Sequence, residues 1–189
     1  MKNPNMKISN RLTDPFRYVA GGKALAWGAA ILCVEIGWLG FAGFYQNTYL
    51  HFAPVAGRLP LVRTAAMQLA MWLVPALLLW GCGALLSRSK IRAVDIFGTT
   101  ALAQAPLLLL VLPLGCGGVA GRLESASGAA GEALALLAFA LFSLVVLAWF
   151  FVWNYRAYAV SCNLRGWRAA VSYIAVIAAV TAASQFVTL

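Results

Sequence analysis

The sequence predicts an all-α integral membrane protein: five transmembrane helices in one bundle, N-terminus cytoplasmic, C-terminus exoplasmic. Three observations predict it. Of 189 residues 63% are hydrophobic and 10% charged, against roughly 45–50% and about 25% in a soluble domain. Nineteen charged side chains (14 basic, 5 acidic) cannot cover a water-exposed surface. Five apolar runs, about 24–45, 65–87, 96–117, 133–155 and 169–189, each approach the ~20 residues that cross a hydrocarbon core ~30 Å thick. The basic residues then sort by loop: eleven of the 14 fall on the N-terminal side, and only Arg58, Arg63 and Arg122 on the other. Cytoplasmic loops carry such an excess, which sets the orientation and agrees with an odd number of spans. Helices are required because lipid offers no partners to loose backbone and the runs do not alternate as barrel strands would.

Residues 1–23 form a basic cytoplasmic segment, polar through residue 12. Thr13 or Asp14 followed by Pro15 reads as a helix start. A short interfacial helix carrying Phe16, Tyr18 and Val19 is expected to enter the first span from there, its cations favouring anionic headgroups of the cytoplasmic leaflet. A solvated basic tail is the alternative. The first span is longer than the apolar region of a cleaved signal and lacks a small-x-small cleavage site. It contains Glu35, eleven positions in, which is read as a neutral structural residue facing the bundle interior because an acid at that depth is costly. Gly37, Gly40 and Gly43 offer a small-residue packing surface.

The first exoplasmic loop, QNTYLHFAPVAGRLPLVRT, mixes Tyr49, His51 and Phe52 with prolines and is expected at the outer interface, where amphipathic aromatics collect. Pro75 interrupts the second span, Pro106 and Pro113 the third, so kinks are expected. The third span opens on IRAVDIFGTTALAQAP. Asp95 marks its cytoplasmic helix start, where an acid stabilises the positive helix end and is placed to receive Lys90 or Arg92. Asp95 and Thr99 share one face, Thr100 and Gln104 another. Thr99, Thr100 and Gln104 are read as polar groups bonding across helices, with Glu35 to Gln104 as the expected bond. RLESASGAAGE, 122–132, is a turn, and Ala175, Ala179 and Ala183 line one face of the last span.

Several chemistries find no support. The cations sit in short loops and form no basic stripe interleaved with aromatics, so nucleic acid is not expected as a partner. Cys33, Cys82, Cys116 and Cys162 lie far apart, and with His51 as the single histidine they make no metal set. No Gly-x-Ser-x-Gly, acid pair or His-based constellation points to an enzyme; no catalytic residue, metal or cofactor is assigned. His51 and Ser143 read as an interfacial anchor and a packing residue.

Asp14-Pro15-Phe16-Arg17 before the first span, then Asp95-Ile96-Phe97-Gly98-Thr99-Thr100-Ala101-Leu102 with Pro106 eight residues after Gly98, resemble the YIP family of Ypt/Rab-interacting membrane proteins. Tyr155 to Ile174, YRAYAVSCNLRGWRAAVSYI, is similar to the last cytoplasmic link of its bacterial branch. The resemblance implies a five-helix domain with a cytoplasmic N-terminus in the bacterial inner membrane, and its bacterial members carry no assigned activity. The small-residue helix faces and basic cytoplasmic loops predict a non-enzymatic role through association with other membrane proteins or itself. Eukaryotic relatives bind Rab-type GTPases and one another. The residues also admit an alternative, a small-solute or ion channel or transporter using the polar groups of the first and third spans, although five spans show no inverted repeat.

Overall fold

A computed structural model describes residues 15–48, 51–54, 60–87, 89–114 and 130–184. Among these residues five helical segments are long and apolar enough to cross a membrane. The first is α1, Gly21–Ala42; it closes on Gly43, whose left-handed backbone (φ 71°) lets its N–H reach Leu39 O. Next comes a small departure from the helical expectation, a hairpin of β1, Phe44–Thr48, and β2, His51–Pro54, paired antiparallel with Tyr45 opposite Ala53 and an irregularity between Gln46 and Thr48. Aromatic Phe44 and Tyr45 and β-branched Thr48 suit a strand better than a helix. The first helix therefore ends three residues before the apolar run does.

The second span, α2, runs Leu61–Leu86 without a break at Pro75. The third does break. Helix α3, Ala93–Leu102, gives way to a 3-10 turn, Ala105–Leu107, and then to α4, Leu108–Leu114. Pro106 has no N–H to continue the ladder and clashes with the carbonyl four residues back. Helix α5, Ala130–Ser161, continues six residues past the expected end at Tyr155. It stops where Asn163 turns left-handed (φ 50°), with Leu164 N–H on Ala159 O (3.0 Å) and Asn163 N–H on Val160 O (3.2 Å). These two bonds are a Schellman cap, for which Asn is the usual substitute for Gly. Helix α6, Trp167–Ser184, completes the bundle.

The third span is the axle of the fold: 61% of it is buried, against 17–28% in the other four. Parallel α1 and α3 pack against each other most closely, because glycine at both Gly28 and Gly98 removes the β-carbons between them. A β-carbon on Gly98 would stand 2.8 Å from Leu25 N and 2.9 Å from Gly21 O, and one on Gly28 2.7 Å from Leu102 N. Gly37 and Gly43 meet nothing within 4 Å. The close approach thus uses a different glycine pair from the 37–40–43 row expected to supply it. On the far side α2, α5 and α6 enclose Leu79, Ile96, Tyr158 and Tyr173.

The segment before α1 also departs from expectation. Pro15–Arg17 is a 3-10 turn, and Phe16 is buried with Ala103 and Ala157, its ring edge-on to Trp153 at 5.6 Å. Phe16 thus wedges into the bundle instead of lying on an interface, because burying a phenyl ring against helices gains more contact than resting it at a headgroup layer. The expectations for residues 1–14, for Cys116 and for residues 122–129 of the 122–132 turn lie outside the described residues, whereas residues 130–132 of that turn already belong to α5.

Candidate functional site

Three consecutive residues of α3 each hold a different neighbour. Gly98 seats α1. Thr99 Oγ1 donates to Asp95 O (2.7 Å) and shares a 2.8 Å hydrogen bond with Ser161 Oγ of α5. Thr100 Oγ1 donates to Ile96 O (2.7 Å) and accepts from Trp72 Nε1 of α2 at 3.3 Å. Both hydroxyls first satisfy themselves on the preceding turn, as threonine does in membrane helices, and keep one lone pair for a neighbouring helix. The sequence reading of Thr99 and Thr100 as interhelical links matches this geometry; their partners, Ser161 and Trp72, were not legible, since a serine and a tryptophan in apolar runs carry no pairing signal.

Asp95 stands in the first turn of α3, and its backbone N–H bonds Arg92 O at 3.0 Å. Lys90 and Arg92 are exposed, and among the described residues neither forms the expected ion pair with it. Asp95 Oδ1 lies instead beside Gly21, where an added β-carbon would be 3.4 Å away. The carboxylate thus stands near the N-terminal ends of both parallel helices, α1 and α3, where the positive helix ends favour an acid.

Glu35 is fully buried, as the sequence suggested, but its partner differs. Gln68 Nε2 of α2 donates to Glu35 Oε2 at 2.8 Å. Gln104 is buried at the break between α3 and the 3-10 turn. Counting depth from the edges of the apolar runs placed Glu35 and Gln104 together; the real register puts Gly28 opposite Ala101 and Leu102. Glu35 is then seven residues, roughly 10 Å, beyond that level, whereas Gln104 is only two or three residues beyond it. Antiparallel α2 brings Gln68, seven residues from its start, to the level of Glu35, seven residues from the end of α1.

Around this pair polar atoms accumulate. Thr64, one turn before Gln68 on the same face of α2, and Gln46 of β1 are both buried. Glu35 Oε1, Gln68 Oε1, Thr64 Oγ1 and both side-chain polar atoms of Gln46 have no hydrogen-bond partner among the described residues. Buried polar atoms in this number are met by water or by a ligand. The single-letter signal was there, lone Gln and Thr in apolar context, but nothing in the sequence says that residues 35, 46, 64 and 68 share one end of the bundle.

A groove of about 660 Å³ opens between α2 and α6 on the outer surface beside this cluster. Ala66 and Ala70 stand on one wall and Ala179 and Ala183 on the other, with Arg63 and Gln46 also lining it. No family model matches the chain, and no curated protein or solved structure matches it either.

Proposed function

We propose that the chain is a non-enzymatic integral membrane protein that works by association in the plane of the membrane, with itself or with other membrane proteins. The observation that carries this reading is the α2–α6 groove, whose two walls each present a small-xxx-small pair. In lipid, apolar surface alone gives no drive to associate, and close backbone approach at small residues supplies it. The alanine face of α6, with Ala175, Ala178, Ala179 and Ala182 exposed, is of the shape such a groove receives, so a second copy is the proposed first occupant. The orientation with a cytoplasmic N-terminus rests on eleven cations against three, and the bacterial inner membrane and a place in the YIP family rest on the Asp95–Leu102 and Tyr155–Ile174 motifs. Single-molecule photobleaching of labelled protein in lipid vesicles tests the reading. Dimers or larger species that disappear in Ala70→Leu and Ala179→Leu support it; monomers throughout, at high density in lipid, refute it.

The unpartnered atoms around Glu35 favour a second reading, a binding site for a small hydrogen-bonding solute moved across the bilayer. Uptake into proteoliposomes that is abolished by Glu35→Ala and Gln68→Leu supports it, and uptake indifferent to both refutes it.

A further inference from the structure

At the end of the bundle opposite the hairpin, the α2–α3 link and the α5–α6 link line an open, surface cavity of about 350 Å³. Its lining includes Ser87 and Ser89 from the first link and Asn163, Arg165 and Arg168 from the second. Among the described residues no carboxylate lines it. We propose that this cavity is a specific site for a phosphate-bearing group, supplied by the headgroup of an anionic glycerophospholipid in the adjoining leaflet.

The backbone explains how the cations come together. Asn163 and Gly166 both take left-handed conformations (φ 50° and 71°), folding the link into two successive turns. Arg165 stands between those turns and Arg168 on the first turn of α6, whose positive end adds to the field. Arg168 is steadied by the Trp167 ring, with its guanidinium carbon 5.9 Å from the ring centroid. On the other wall Ser87 and Ser89 hydroxyls lie 2.9 Å apart, and the Ser89 N–H donates to Ser87 Oγ at 3.2 Å. Two guanidinium forks and two hydroxyls match an oxyanion that accepts several hydrogen bonds at once.

The surroundings select a lipid over a free ion. Trp167 is 71% exposed, and an exposed indole of this kind favours the headgroup layer. Leu86 lines the cavity itself, and Leu85, Val171 and Ile174, in the adjoining turns of α2 and α6, are exposed, apolar surface of the kind that acyl chains cover. Its volume falls in the lower range of small-ligand pockets, ~300–1,000 Å³, larger than a lone ion requires. Basic pockets between transmembrane helices are established places for anionic headgroups.

Native mass spectrometry of the whole chain released from nanodiscs tests this. With equal phosphatidylglycerol and phosphatidylcholine, the wild type is expected to retain one phosphatidylglycerol selectively. Each arginine near a charged surface contributes about five-fold, so Arg165→Ala with Arg168→Ala lowers that retention about thirty-fold. Both side chains are exposed, and an unchanged melting transition certifies the fold of the double variant. Arg63→Ala, at the hairpin end, is expected to leave retention as it was. Retention unaffected by the double variant, or reduced equally by Arg63→Ala, overturns the proposal. Displacement of the lipid by millimolar inorganic phosphate also overturns it, since that assigns the cavity to a free ion.

Discussion

Replacing Gly98 by alanine adds one methyl group between two parallel helices. The new carbon would sit 2.8 Å from Leu25 N, 2.9 Å from Gly21 O and 3.2 Å from Leu25 Cα, all backbone atoms that no rotamer change can move. Ordinary contact lies at ~3.5–4.0 Å, so α1 and α3 must separate by roughly 0.7 Å. A gap of that size forfeits a quarter to a half of each dispersion contact it opens. Because α1 packs along the whole of α3, the loss is spread over the interface; overpacking of this kind costs about 1–3 kcal/mol. Helix propensity returns roughly 0.5–1 kcal/mol for glycine to alanine, leaving a net destabilisation of about 1 kcal/mol. Gly37 in the same bundle has nothing within 4 Å, so Gly37→Ala collects the propensity gain alone, about 0.5–1 kcal/mol. The two substitutions should therefore differ in sign. Equilibrium unfolding in mixed micelles, followed by tryptophan fluorescence and circular dichroism, reads both. If Gly98→Ala is as stable as the wild type, or Gly37→Ala is equally damaging, the close α1–α3 approach is wrong.

Gln68→Leu removes the donor to Glu35 Oε2 and is expected to cost about 1–3 kcal/mol, whereas Glu35→Gln keeps an acceptor of the same shape and should cost less; the reverse order in the unfolding assay would dissolve the pair. Phe16→Ala should destabilise by about 3–5 kcal/mol, as truncation of a fully buried phenyl ring does; a near-zero effect would return Phe16 to an interface. The Cys162 thiol, buried against Gly83, is pushed from an ordinary 9.0 up to about 12, first by burial and then by neighbouring Cys82. The neutral thiol therefore contributes stability fully below pH about 9, lost as pH rises toward about 12. Maleimide labelling of Cys162 in the folded protein should stay slow at pH 8 and accelerate only on unfolding or at strongly alkaline pH, and labelling at the rate of a free thiol at pH 8 would contradict the burial.

Composition and period alone determined that five helices of membrane-spanning length form and roughly where, because the length and apolarity of a run are properties of contiguous residues. The same local logic marked Asp95 as a helix start, Pro106 as a break, and Thr99 and Thr100 as groups that must bond across helices. Tertiary structure decided the partners. Whether Glu35 meets Gln104 or Gln68 depends on the register of α1 against α3, which two glycines distant in sequence fix by how closely the backbones can approach. The ends of helices moved for the same kind of reason: Gly43 and Asn163 terminate α1 and α5 through their own backbone conformations, not where hydrophobicity fades. Gathering Gln46 and Thr64 at one end of the bundle, and Arg165 and Arg168 around a cavity at the other, requires the loops to fold back on the helices. One-dimensional patterning carries no information on that convergence, since the energies that produce it are contacts between residues far apart in the chain.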